Sequence, residues 1–379
     1  MKIKVCHIIT KLELGGAQKN TLYTVSNLNS EKFDVFLITG VGGILDEKAK
    51  KQSYKKYFLK NLVREISPIN DIIAIIKIFF ILIKEKPDII HTHSSKAGII
   101  GRFAGYLAKI KVIIHTYHGF GFNEYQKWYI KRFYILLEKM ASFITDHFIF
   151  VSYDNILTAK KYGIIRGNNY SIIRSGIKLN EFSDNKDYIF IEKYGFKKDN
   201  NIIITTVANL KPQKNPEDFI NVAEIIIKNT KNVLFFYCGG GEKFDYYKNL
   251  AKAKGLSKRL IFTGWVDDIK EVYRSTDIFI LTSLWEGLPR SIIEAIKSGC
   301  IVVSYDSDGV SDIIKDGVNG FIVKKKDFTK MAEIILKLIN EKDFFKKIKD
   351  AVIKTDLLEF DIDFMVKKQE ELYDNLIKL

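Results

Sequence analysis

Cysteine is scarce in this chain. The three residues, Cys6, Cys238 and Cys300, lie far apart and form no CxxC pair. That excludes a disulfide framework and a cysteine-built zinc site, and it fits a reducing compartment. Proline is scarce too, five in 379 residues, which leaves no room for long Pro-rich linkers or low-complexity tracts. Long apolar runs are missing. The most apolar stretch, Ile72 to Ile83, is interrupted by Lys77 and falls well short of the roughly 20 residues that a hydrocarbon core requires. The first apolar run ends at Lys11 and Glu13, too early for a signal-peptide core. No GK[ST], no GxGxxG and no zinc-finger or RNP-type motif occurs, so ATP hydrolysis and nucleic-acid binding are disfavoured. What is present is 47% hydrophobic and 28% charged, an ordinary soluble-protein balance that excludes a disordered or collagen-like chain. The length suggests two or three domains.

Charge of one sign dominates only part of the chain. Residues 1–178 hold 28 basic against 13 acidic residues, and residues 179–379 hold 32 against 32. The whole net charge of +15 therefore lies in the first half. Such asymmetry points to a polyanionic partner for that half alone. Two basic clusters are mixed with aromatics. One contains Lys48, Lys50, Lys51, Lys55, Lys56, Lys60 and Arg64 beside Tyr54, Tyr57 and Phe58; the other contains Lys127, Lys131, Arg132 and Lys139 beside Tyr125, Trp128, Tyr129 and Phe133. Ammonium groups that meet lipid phosphates while rings sit at headgroup depth suit an anionic membrane surface. The competing reading is a solvated helix face in a Lys-rich protein.

Short apolar, β-branched runs alternate with helical patterns. Strands are expected at 4–10, 34–39, 88–91, 112–115, 147–152 and 170–173, and again at 202–207, 233–238, 260–263, 277–281 and 301–305. Near-continuous apolar strands with helices between them predict parallel, doubly wound sheets covered on both faces. The pattern pauses over 174–200, the expected linker. The reading is α/β, with two Rossmann-like domains facing across a cleft: residues 1–178, residues 179–360, and a C-terminal helix over 361–379 that packs back on the first domain. Ligands of such sheets bind beyond the carboxyl ends of the strands.

The strongest chemical signal is Glu286-Gly287-Leu288-Pro289-Arg290-Ser291-Ile292-Ile293-Glu294, between an expected strand and a helix. Gly287 permits a tight turn, and Pro289 suits the first helical position. The N–H groups of the first turn, at the positive end of the helix dipole, form a ready diphosphate site. Glu286 and Glu294 are acceptor-only when ionised and suit sugar and ribose hydroxyls. Lys214 lies at another strand-to-helix junction, where an ammonium offsets diphosphate charge. Alone, this spacing is also met in ordinary helix starts. His91, His93, His115 and His118 sit at two strand ends without a nearby carboxylate, which favours packed histidines over a metal cluster, and no metal site is assigned. Asp306-Ser307-Asp308 reads as a loop and Asp361-Ile362-Asp363 as a helix cap.

Together with Gly239-Gly240-Gly241, Gly264-Trp265-Val266 and Gly15-Gly16-Ala17-Gln18, these motifs in this order resemble glycosyltransferase family 4, retaining enzymes of the GT-B fold that use nucleotide-sugar donors. The stretch His91 to Gly98 looks like members that build bacterial capsule, O-antigen or other lipid-linked glycans. The resemblance implies that Glu294 holds the ribose and Glu286 the donor sugar. It implies that Lys214 and the main chain of Gly287 to Arg290 meet the diphosphate, that the Val266 backbone touches the base, and that the loop at Gly15 and Gly16 borders the donor. His118 would approach the transferred sugar, which makes His118, Glu286 and Lys214 the catalytic candidates. Two positions depart from the family: Asn209 stands where it usually has Arg, and Lys178 where its loop often has Asp. Losing a charge-assisted hydrogen bond costs roughly 1.5–3 kcal/mol, and Lys211 and Arg290 are the candidates to replace it.

The expected activity is a hexosyltransferase moving a hexose or N-acetylhexosamine, from UDP by expectation, to a polyprenyl-diphosphate-linked saccharide. The enzyme would be peripheral on the inner face of the cytoplasmic membrane, with Lys50, Lys51, Lys55, Lys56, Lys127, Trp128, Lys131 and Arg132 at the membrane or acceptor. A helix terminus with Lys214 does the work of a cation at the leaving diphosphate, so no metal or other cofactor is expected. Rival readings are a nucleotide-sugar 2-epimerase of the same fold, a soluble glucan or disaccharide synthase, and a non-catalytic module that binds anionic polymers.

Overall fold

The computed structural model describes residues 2–378. The chain divides into two compact units, Met1–Gly176 with Glu359–Leu379, and Ile177–Leu358. The first is built on a seven-stranded sheet of β1 (Ile3–Ile9), β2 (Phe33–Gly40), β3 (Lys55–Leu59), β4 (Ile89–His93), β5 (Val112–Tyr117), β6 (His147–Phe150) and β7 (Tyr170–Ile172), in the order β3-β2-β1-β4-β5-β6-β7. The second has six strands, β8 (Ile202–Val207), β9 (Val233–Cys238), β10 (Leu260–Gly264), β11 (Ile278–Leu281), β12 (Ile301–Tyr305) and β13 (Phe321–Val323), in the order β10-β9-β8-β11-β12-β13. Pairings between neighbouring strands are parallel in both sheets. β4, β5, β9 and β12 are buried at every residue, as strands are when helices cover both faces of a parallel sheet. Each sheet reverses its order once, between β1 and β4 and between β8 and β11. A doubly wound sheet opens its ligand crevice at that switch point.

Residues 174–200 are not a free linker. Within the second unit they form a turn at Leu179–Glu181 and a short helix at Ile189–Glu192. Phe190 and Ile191 are fully buried with Ile203, Leu234 and Phe236, and Lys186 Nζ donates to the carbonyls of Tyr273 (3.1 Å) and Ser298 (2.9 Å). β13 and the helix Lys342–Ile353 also lie outside the expected elements.

The C-terminal helix, Ile362–Lys378, belongs to the first unit. Ile362, Met365, Val366 and Tyr373 pack with Val5, Ile89 and Ile114 of its sheet. The Tyr23 hydroxyl donates to Asp363 (2.5 Å), and Lys111 Nζ donates to the Ile377 carbonyl (2.7 Å). The approach is close at Gly176, where a Cβ would lie 2.4 Å from the Ile362 Cα. Asp361 caps this helix, its Oδ1 accepting from the N–H groups of Asp363 (2.8 Å) and Phe364 (3.2 Å).

Candidate active site

Two loops meet beyond the switch point of the second unit, one leaving β8 and one leaving β11. The Leu284 N–H donates to the Gln213 carbonyl (2.8 Å), and Gln213 Nε2 donates to the Trp285 carbonyl (2.7 Å). The Thr282 hydroxyl donates to the carbonyls of Lys214 (2.9 Å) and Asn215 (3.0 Å). Asn215, at φ +47°, turns the first loop into the helix Pro216–Asn229; asparagine tolerates this left-handed conformation better than most residues. The stitching brings Lys214 Nζ onto Glu286 Oε1. Their side chains are only 18% and 10% exposed, so a cation and a carboxylate share a mostly dry position, where charge interactions are stronger than in water.

The helix Arg290–Lys297 begins one residue later than expected. Pro289 is its N-cap, in an extended conformation, and no side chain caps this terminus. The Ile292 N–H donates to the Pro289 carbonyl (3.0 Å), and this terminus is the positive end of the helix dipole. Glu294 lies one turn in and accepts from the Tyr273 hydroxyl at 2.9 Å. Burial, then the Glu294 charge, raises the Tyr273 hydroxyl well above the usual phenol range, so it remains a proton donor. Burial lowers the Arg290 guanidinium from its ordinary value, while Glu294 and Tyr273 oppose that shift. Arg290 Nε and Asn209 Oδ1 are buried without a hydrogen-bond partner among the described residues. Each such atom costs about 1–3 kcal/mol if nothing meets it.

The loop after β9 lies flat against its neighbours. A Cβ on Gly239 would sit 1.9 Å from the Ala208 carbonyl oxygen, and one on Gly240 2.5 Å from the Trp265 indole nitrogen. Beyond β10, the Val266 side chain packs against the core, which fixes its backbone, and Trp265 is 69% exposed.

In the first unit, Gly15 is the extended N-cap of the helix Gly16–Asn27. The Thr10 and Ser94 hydroxyls, 2.7 Å apart, join the chain leaving β1 to the chain leaving β4 at the switch point. Ser94 has φ +63°, unusual for a residue other than glycine. His118 follows β5, with Nε2 3.2 Å from Nδ1 of His93. Tyr117, beside it, is held from below: its hydroxyl donates to Glu138 Oε2 (2.7 Å), which also accepts from Arg102 (2.7 Å). His91, His93 and His115 are buried, as expected of packed strand histidines. The sequence reading left His7 out, yet nitrogens of His7, His91 and His93 lie within 4.8 Å of one another. Its partners come from β4 and the far C-terminus, and no local pattern signals that.

Comparison with known proteins bears on the family and the fold. Residues 14–181 match the family Glycosyltransferase Family 4, and residues 188–355 match Glycosyl transferases group 1. The chain is 32% identical over 384 aligned residues to an Escherichia coli UDP-Gal:alpha-D-GlcNAc-diphosphoundecaprenol alpha-1,3-galactosyltransferase, covering 99% of this chain and 98% of that protein. This chain belongs to the family 4 glycosyltransferases. A Campylobacter jejuni N,N'-diacetylbacillosaminyl-diphospho-undecaprenol alpha-1,3-N-acetylgalactosaminyltransferase is 28% identical, over 93% of this chain and 94% of that one. The fold is that of Anabaena HepE, solved with UDP and glucose, at a TM-score of 0.82 and 18% identity over 98% of this chain and all of that one.

The basic clusters of this glycosyltransferase are disposed differently from one another. Lys50 lies on the short helix Asp46–Lys50, just before Lys51, while Lys55 and Lys56 lie on β3, an edge strand rather than a helix face. Lys50 pairs with Glu47 (2.7 Å) and Lys55 with Glu85 (2.6 Å), and Lys56 Nζ donates to the carbonyls of Ala49 (3.2 Å) and Lys50 (3.0 Å). Three of the lysines expected at a membrane thus have partners within the fold. The second cluster lies on or beside the helix Trp128–Ser142, where Tyr129, Phe133, Leu136 and Met140 are exposed at helical spacing. Arg132 stacks over Trp128, and Lys131 lies over Tyr162. The helix Pro68–Glu85 carries a second stripe, exposing Ile69, Ile72, Ile76, Phe80 and Ile83. Among the described residues no helix is long and apolar enough to cross a membrane.

Proposed function

We propose that this glycosyltransferase moves a hexose or N-acetylhexosamine from a UDP-sugar, with retention, to a polyprenyl-diphosphate-linked saccharide in bacterial surface-glycan assembly. The observation that carries the proposal is the Lys214–Glu286 pair at the switch point of the second unit, beside the uncapped helix Arg290–Lys297. In this reading Lys214 and the main-chain N–H groups of Leu288 and Arg290 stabilise the charge that grows on the departing diphosphate. Glu286 orders the sugar hydroxyls, Glu294 the ribose, and the Val266 backbone the base. His118 of the first unit approaches the transferred sugar, and the loop at Gly15 and Gly16 borders it. The departing phosphate helps deprotonate the acceptor hydroxyl on the same face, and the chemistry is metal-independent.

The acceptor class is supported by the names of the E. coli and C. jejuni relatives, both of which specify a sugar on diphosphoundecaprenol or diphospho-undecaprenol. The exposed stripes of Trp128–Ser142 and Pro68–Glu85 support attachment to an anionic cytoplasmic leaflet. Each Lys or Arg near such a surface adds about 1 kcal/mol to the apolar contribution. The test supplies radiolabelled UDP-hexoses and UDP-N-acetylhexosamines together with a polyprenyl-diphosphate-linked N-acetylhexosamine. Label entering the organic phase only when the lipid is present, in a product with the donor's anomeric configuration by NMR, is the expected result. Epimerised UDP-sugar without acceptor, or an inverted anomer, refutes it.

A further inference from the structure

The first residue of the helix Arg290–Lys297 carries a charge that the second unit does not satisfy. Arg290 Nε is sealed from solvent with no hydrogen-bond partner among the described residues. Glu294 and Tyr273 act on the guanidinium through their charge alone, without a hydrogen bond to it. Glu294 lies one turn further along the same helix face, and it is engaged instead by the Tyr273 hydroxyl at 2.9 Å. The terminal nitrogens of Arg290 are not sealed as Nε is, so the fork can be reached from outside. A buried cation without a hydrogen-bonded anion is costly, and an arriving anion removes that cost.

The charges around it say which anion. Lys214 is already paired with Glu286. One ammonium and the two carboxylates Glu286 and Glu294 sum to one negative charge, which repels a diphosphate; Arg290 cancels it. Asn209 is neutral, and Lys211 is exposed, where an ammonium is hydrated and screened. A guanidinium, by contrast, is planar and offers parallel N–H groups that match two oxygens of one phosphate.

We propose that the Arg290 side chain binds the α-phosphate of the donor, next to the ribose, while Lys214 meets the β-phosphate. The order follows from the helix: Arg290 and Glu294 are one turn apart on one face, and the α-phosphate is the one bonded to the ribose. This rests on the reading that a UDP-sugar lies at this helix with its ribose at Glu294. The two cations then differ in what they do. Cleavage at the anomeric carbon puts new charge on the β-phosphate, where Lys214 sits. The α-phosphate carries its charge in substrate and product alike, so Arg290 supplies uniform binding rather than transition-state stabilisation.

The experiment titrates full-length wild type, Arg290→Gln, Arg290→Lys and Lys214→Met with UDP by calorimetry and with the weaker ligands UMP and uridine by NMR. Steady-state kinetics with the UDP-sugar run alongside. Arg290→Gln should weaken UMP and UDP alike, by roughly 10- to 100-fold, as loss of a charge-assisted hydrogen bond does. It should leave uridine unchanged and raise the donor KM with kcat nearly unaltered. Lys214→Met should weaken UDP, spare UMP and lower kcat. Arg290→Lys keeps the charge without the fork and should recover part of the loss. In wild type labelled at arginine, the Arg290 Nε–H signal, assigned by its absence from Arg290→Lys, should shift with UMP and not with uridine. A missing shift with UMP overturns the proposal even if Arg290→Gln does not fold. A folded Arg290→Gln that binds UMP and UDP as wild type does overturns it and leaves the donor reading standing. A loss confined to UDP, or one shared by uridine, overturns it as well. If GDP and GMP bind in place of UDP and UMP, and both weaken in Arg290→Gln, the uridine reading falls and Arg290 keeps its role.

Discussion

The Lys214–Glu286 pair makes a prediction that runs against the usual expectation for a binding-site variant. The Lys214 ammonium, proposed to meet the donor diphosphate, is already held by the Glu286 carboxylate. UDP must divide or share that interaction, and its own charge is repelled by Glu286. Glu286→Gln should therefore strengthen UDP binding. The pair is less exposed than surface ion pairs, worth about 0–1 kcal/mol, and less sealed than buried pairs, whose rupture costs about 3–5 kcal/mol. Freeing Lys214 should return about 1–2 kcal/mol, which is a Kd for UDP lower by roughly 5- to 30-fold. The same change removes a charged acceptor for the sugar hydroxyls. The UDP-sugar should then bind no better than UDP, and kcat should fall by roughly 10- to 100-fold, the cost of about 1.5–3 kcal/mol for a charge-assisted hydrogen bond. Isothermal titration with UDP and with the UDP-sugar, for wild type, Glu286→Gln and Lys214→Met, separates these effects. UDP binding that is unchanged or weaker in Glu286→Gln would show that Lys214 is not the diphosphate partner, and the assignment would be withdrawn.

Three further outcomes are expected. Arg102→Met leaves the Glu138 carboxylate buried with its Tyr117 hydrogen bond but no cation, which should cost about 3–5 kcal/mol in urea unfolding; a companion Glu138→Leu change should recover part of it. The first unit should lose stability in acid: burial lowers His7 to about 3 and His147 to about 4, whereas an unfolded chain protonates both near pH 6.5. That stability is complete above about pH 6.5 and declines toward pH 4, by up to about 1.4 kcal/mol per pH unit for each histidine held neutral; urea midpoints that stay flat between about pH 7 and pH 5 would contradict it. Phe133→Glu with Leu136→Glu should abolish flotation with anionic liposomes and leave UDP binding intact, and flotation that is insensitive to both salt and this double change would place the contact elsewhere.

The legible parts of the fold were those whose local pattern and final environment agree. β8, β9 and β12 have near-continuous apolar or β-branched runs and become strands buried almost throughout, so pattern and burial point the same way. β3 was not legible. Lys55-Lys56-Tyr57-Phe58-Leu59 has neither alternation nor β-branched residues, and it is a strand because β2 offers it an edge and Glu85 takes up the Lys55 charge. Within 174–200 the short helix Ile189–Glu192 was not legible, because Phe190 and Ile191 are buried by long-range packing rather than by a periodic run. At the site, Lys214, Glu286 and Glu294 were legible because each sits at a strand-to-helix junction or in the first turns that follow one. Tyr273 beside Glu294 and Tyr373 beside His7 were not, since each partner is fixed only by tertiary contact, the second across 366 positions.

The last helix has a consequence for how the molecule is made. Residues that seal Val5, Ile89 and Ile114 follow Leu358 in the chain, so they leave the ribosome only after the whole second unit. The first unit is thus completed only after everything from Ile177 to Leu358 has been synthesised. A message cut short before Glu359 yields a protein with an intact second half and an unsealed apolar face on the first, a ready mark for proteolytic clearance.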